Sequence, residues 1–107
     1  MVIRIWHGYT TPDNAEAYEQ LVISDIFKEI EAKTGEGFKG VELLKRKLSE
    51  DEIEFSTMMR FKDLKAIKKL TGEDYETAYV PPEARKLLTR FDQRVTHLEV
   101  VHSNLPG

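Results

Sequence analysis

The chain has 107 residues, a formal net charge of -3, and no cysteine. The missing cysteine excludes disulfides, a thiolate nucleophile and a zinc–thiolate site, and the weak acidity supplies no basic excess for neutralising phosphates, so nucleic acid is not an expected partner. Apolar residues make up 40% and charged residues 33%, enough for a core and too apolar for a disordered chain; the length predicts one domain over residues 1–107.

In chain order, the β-branched alternation of "VIRIWHG" predicts a first strand over Val2–Gly8. Thr11 is a candidate N-cap and Pro12 suits the first helical position. Ala15, Tyr18, Val22, Ile26 and Ile30 follow at helical spacing, with Leu21, Ile23 and Phe27 widening the stripe, and Gly35 and Gly37 ending it. The helix is secure, but its buried face is not cleanly drawn. "FKGVELLKRKL" and "EIEFSTMMRF", separated by "SEDE", predict a hairpin with strands over Lys39–Lys47 and Glu52–Phe61. Asp63 caps a short helix, "LKAIKKL", which Gly72 stops. "EDYETAY" predicts another helical turn or two, broken by Val80-Pro81-Pro82. "PEARKLL" restarts a helix, and "RVTHLEVVH" is the last strand. The order βαββαβ predicts a ferredoxin-like α+β fold, with both helices on one face of a four-stranded antiparallel sheet.

Alternation splits each strand into two sets. Placing the more apolar set under the helices puts His7, Phe55, Thr57, Met59 and Phe61 there. The other face then carries Trp6, Met58, Val95 and Val101 beside Arg4, Arg60, His97 and Glu99. It is too apolar to sit bare in water and too charged for a plain core, which suits pairing with a second copy of the chain; a half-exposed sheet with scattered apolar residues is the plainer alternative.

Among chemistry-bearing groups, His7 is a candidate general base, although a lone histidine is more often a satisfied structural residue. Tyr75 and Tyr79, four apart, share a face if their segment is helical, and both are equally readable as core. Phe27, Thr57, Met59 and Phe61 are candidates for the apolar wall of a pocket. His97 and Glu99 share a face at a two-residue interval, but a metal site needs three or four ligands and no further ligand stands at a supporting spacing, so no metal is expected. No glycine-rich phosphate loop or nucleophile motif is present. No apolar run approaches the roughly 20 residues that span a bilayer, and the start lacks a signal-peptide layout; the default expectation is a cytoplasmic protein without a membrane partner.

"IRIWHG", "GFKGVELLKRK" with its "GF.G.ELL" entry to the second strand, and the strand end "MRFKDLKAI" running into a short helix together resemble the antibiotic biosynthesis monooxygenase family of dimeric α/β barrels. The resemblance spans nearly the whole chain and carries no catalytic fingerprint. It implies a homodimer joined sheet to sheet and, in each subunit, a hydrophobic pocket between sheet and helices. It also implies one of two chemistries: cofactor-independent oxidation of phenolic or polycyclic substrates by dioxygen, or haem degradation. The haem-degrading pattern of asparagine, tryptophan and histidine falls near His7, Phe61 and Tyr79 or Val80, and matches at none of them. Haem is therefore not expected, and the resemblance favours a cofactor-free monooxygenase; the convergence expected of His7, Tyr75 and Tyr79 over the helix-side pocket makes His7 the candidate base and the two tyrosines candidate donors. A non-catalytic binding or structural dimer and an isomerase or lyase on the same scaffold are the alternatives.

Overall fold

A computed structural model describes residues 1–106. The first strand, β1 (Val2–Thr10), is central. The helical run that follows opens at Thr11, whose hydroxyl accepts from the Asn14 amide at 3.3 Å, with Pro12 at the first position. It comprises α1 (Pro12–Leu21), a π turn at Val22–Ile26 and α2 (Phe27–Thr34). Its buried residues Tyr18, Val22, Ile26, Ile30 and Thr34 recur every four residues. In a pure α-helix that spacing drifts by about 40° per step. The π turn, where the Phe27 amide bonds to the Val22 carbonyl, takes an extra residue into the winding and returns the stripe to the sheet. This is why the stripe is blurred when read at α-helical spacing.

The hairpin strands are β2 (Phe38–Lys47) and β3 (Ile53–Phe61). Helix α3 (Leu64–Thr71) is capped by the Asp63 carboxylate, which accepts from the Ala66 amide at 3.0 Å, and buries Ala66, Ile67 and Leu70. Helix α4 (Pro82–Leu87) follows, with proline at its start. The last strand, expected over Arg94–His102, is shorter, β5 (Thr96–Glu99), and is preceded by a two-residue strand that was not expected, β4 (Arg90–Phe91); both pair with β1. The sheet is antiparallel throughout, in the order β2, β3, β1, then β4 and β5. The α+β ferredoxin-like arrangement is the one expected, with the fourth strand interrupted.

The interruption has a cause. Between β4 and β5 the chain turns to the segment after α3: Ala78 donates to the Gln93 carbonyl at 3.1 Å and Val95 donates to the Glu76 carbonyl at 2.8 Å. That segment is not helical, contrary to expectation. The Thr77 amide and hydroxyl both bond to Asp74, and Arg94 grips the Asp74 carboxylate with two bonds of 2.8 Å. The Tyr75 and Thr77 carbonyls, which a helix would use, are taken by Arg4 at 2.7 and 2.8 Å.

Directly opposed residues of an antiparallel pair share a face, so the register sorts the sheet. Val2, Arg4, Trp6 and Gly8 oppose Phe61, Met59, Thr57 and Phe55, and all of these face the helices. His97 and Glu99 oppose Arg4 and Val2, so they lie on that side too. The open side carries Ile3, Ile5, His7 and Tyr9 beside Met58, Ser56, Arg60, Leu44 and Leu98. The expectation thus holds for β3 and for Met58 and Arg60. It is inverted for His7, which is on the open side, and for Arg4, Trp6, His97 and Glu99, which are not, and Val95 is buried in the interior between sheet and helices. The core beneath the helices centres on Phe55, Phe61, Ile30 and Ile67.

Candidate functional site

Between sheet and helices lies a small apolar cavity of about 30 Å³. Its floor is Arg4 and Trp6 of β1 with Thr57 and Met59 of β3. Tyr18, the π-turn residues Val22 and Ile26, and Phe27 form one wall, and Tyr79, Val80 and Pro81 form the other. Trp6 is positioned by what is missing beside it: a Cβ on Gly8 would come within 2.8 Å of the indole ring. The indole N–H then reaches the Asp92 carbonyl, at 2.8 Å, through the gap between β4 and β5.

The polar groups of this cavity are few. Arg4 is only 3% exposed, and among the described residues no carboxylate pairs with it. Its Nη1 donates to the Tyr75 carbonyl and to His97 Nε2, at 2.7 and 2.9 Å, and its Nη2 donates to the Thr77 carbonyl. Burial pushes the guanidinium down to about 10, which still leaves it charged at neutral pH. A guanidinium only donates, so His97 Nε2 is the acceptor and its Nδ1 carries the proton. That Nδ1 is buried and without a partner. Burial, and secondarily the Arg4 charge, lowers the His97 pKa, which agrees with a neutral ring. Tyr18 is 2% exposed, packs its ring 4.9 Å from Phe55, and is raised well above the ordinary phenol range by burial.

The expected site residues separate. Phe27, Thr57, Met59 and Tyr79 line the cavity. Phe61 does not: it is fully buried, with its ring against Phe38 at 5.7 Å, and serves as core. The Tyr79 hydroxyl is directed outward, bonded to Glu29 and to the Lys33 ammonium, the latter at 3.0 Å. Tyr75 lies against the His97 ring, 5.4 Å between centroids, beside a broad surface cleft of about 660 Å³ that also reaches Met1, Lys62 and Glu76. His7 is across the sheet, half-exposed, its Nδ1 2.9 Å from Asp92 Oδ2. His7, Tyr75 and Tyr79 therefore do not converge. No histidine lines the cavity, and among the described residues no three His, Cys, Asp or Glu side chains gather as a metal site. Sequence reasoning missed Arg4 as a cavity group. Tyr18 was visible in the helical stripe; the signal for Arg4, its two carbonyl partners more than 70 positions away, is not local.

The fold is shared with a solved structure. The chain superimposes on a crystal structure from Bacillus cereus provisionally assigned as an antibiotic biosynthesis monooxygenase, with a TM-score of 0.59 and 17% identity, over 98% of this chain and 97% of that one. No family profile matches the sequence, and no curated protein does. The likeness at this identity establishes the architecture, which is the one that the sequence resemblance implied. Among the described residues no helix is long and apolar enough to cross a membrane.

Proposed function

We propose that the protein is a monooxygenase-like enzyme that takes a small hydrophobic organic molecule, phenolic or polycyclic, between its sheet and its helices, without a bound cofactor. The observation that carries this reading is the cavity itself. It is apolar, it holds a few buried polar groups, and it sits in a fold shared with a protein provisionally assigned as a monooxygenase. At about 30 Å³ it has room for little more than a water molecule; an aromatic ring needs on the order of 150 Å³. Binding therefore requires the Tyr79–Pro81 wall or the π turn to move outward.

The same small volume, with no histidine or carboxylate along the lining, favours as second reading a non-catalytic binding dimer. Dioxygen consumption with a panel of phenols separates the two: uptake coupled to product supports the oxygenase, and ligand binding with no uptake leaves the binding protein.

The functional unit in this reading is a homodimer. Leu98 and Leu44 are 50% and 44% exposed on the open face, beside the half-buried Ile3, Ile5 and Met58. A face with this composition suits a second copy of itself. Light scattering at micromolar concentration tests it, with twice the mass of the 12.4 kDa chain expected and a monomer contradicting it.

A further inference from the structure

Arg4 is expensive where it stands. A buried guanidinium ordinarily keeps a carboxylate beside it, because taking a charge out of water without a counter-ion is costly. Arg4 is 3% exposed and has instead two neutral carbonyls and a neutral imidazole. The carbonyls belong to Tyr75 and Thr77, in the segment that continues into the Tyr79–Pro81 wall. One oxygen sits on Nη1 and the other on Nη2. Arg4 is thus both part of the cavity floor and the fastening of its wall.

From this we infer that the cavity takes an apolar molecule bearing a planar oxyanion, a carboxylate in the first instance, and that this oxyanion binds Arg4 by replacing the Tyr75 and Thr77 carbonyls. The inference rests on reading the cavity as a small-molecule pocket and adds the substrate's charge and its anchor. Three features support it. A carboxylate presents two oxygens to a guanidinium in a fork, and the charge-assisted pair is shorter and stronger than bonds to neutral carbonyls. The exchange supplies the missing counter-charge. It also unfastens the 75–77 segment, which creates the room that the closed cavity lacks. Tyr18, which also lines the cavity, is a further polar side chain there. The remaining lining is aliphatic, aromatic or thioether, apart from the Thr57 hydroxyl, which suits a hydrocarbon body.

The test is a matched pair of probes, 2-naphthoate and 2-naphthamide, which share shape and differ in charge. Their affinities are measured by calorimetry at neutral pH for the wild type, Arg4→Lys and Arg4→Met, and the backbone amides of residues 75–78 are followed by NMR in the wild type. The expected result is naphthoate binding at least about tenfold tighter than naphthamide, a reduced preference in Arg4→Lys, and none in Arg4→Met. The 75–78 amides should shift with naphthoate far more than with naphthamide. If Arg4→Met fails to fold, the wild-type preference and the amide shifts decide by themselves. Equal affinities in the wild type, a preference that survives in Arg4→Met, or unmoved 75–78 amides overturns the inference and leaves the pocket standing. Binding of neither probe overturns both.

Discussion

The two sides of the sheet solve the same problem in opposite ways. Each carries one basic group on β1, three residues apart: Arg4 toward the helices and His7 toward the open face. Arg4 is sealed in and held by backbone carbonyls and His97, with no carboxylate. His7 is half in water and has a carboxylate, Asp92, at 2.9 Å. The group that needs a counter-ion lacks one, and the group that water already screens has one. An unpaired charge is tolerated in a core mainly where a site uses it, and this contrast moves the functional weight from His7 to Arg4.

Substitutions on the two sides should differ in kind. The largest stability loss is expected for Phe55→Ala, which empties a fully buried site against Tyr18; about 3–5 kcal/mol by chemical denaturation is anticipated. On the open face, Met58→Ala and Leu98→Ala should each cost about 1 kcal/mol or less within the subunit, while Leu98→Glu moves the population toward monomer in light scattering. A Met58 substitution as damaging as the Phe55 one in the isolated subunit would erase the distinction between the sides.

Gly8→Ala sits between these. Its new Cβ would press within 2.8 Å of the Trp6 ring and 3.2 Å of Leu88, so a loss of about 1–3 kcal/mol is expected, with a shift in Trp6 fluorescence. An unchanged spectrum would mean that Trp6 does not lie over Gly8.

The segment fastened by Arg4 carries a pH signature. The Arg94 guanidinium and the Thr77 hydroxyl hold the Asp74 carboxyl down at about 2, against 3.8 ordinarily. A depressed carboxyl contributes stability that is complete above its unfolded value and is lost as pH falls. Amide protection at residues 74–77 should therefore decline between roughly pH 4 and pH 2, and Asp74→Asn should remove that dependence.

The smallest effect is expected for His7→Gln. A half-exposed polar contact of this kind is worth about 0–1 kcal/mol, and a residue across the sheet should leave ligand binding in the cavity unaltered. A large loss of binding in His7→Gln would return the chemistry to the open face.

What the sequence showed follows from how each strand divides its residues. In β3 one alternating set holds Phe55, Met59 and Phe61, and the other holds Glu54, Ser56 and Arg60, so the inward face was legible. In β1 both sets mix apolar and basic groups. Counting isoleucines favoured Ile3 and Ile5 as the core, while the outcome was decided by the fit of Trp6 over Gly8 and by the carbonyls that Arg4 reaches, both tertiary facts. The Tyr75–Tyr79 spacing is a genuine helical signal, defeated by Arg4, Asp74, Gln93 and Arg94, which claim the backbone groups and turn of that segment. The cavity's position between sheet and helices was legible through the family resemblance, and Phe27, Thr57 and Met59 with it; its charged anchor was not.

The most direct measurement of which face holds the site is a benzoate titration followed by NMR at the only tryptophan and at His7. A site between sheet and helices predicts that the Trp6 indole N–H and the 75–78 amides shift together and saturably, while the His7 ring signals stay in place. Saturable shifts at His7 with an unmoved Trp6 would contradict it.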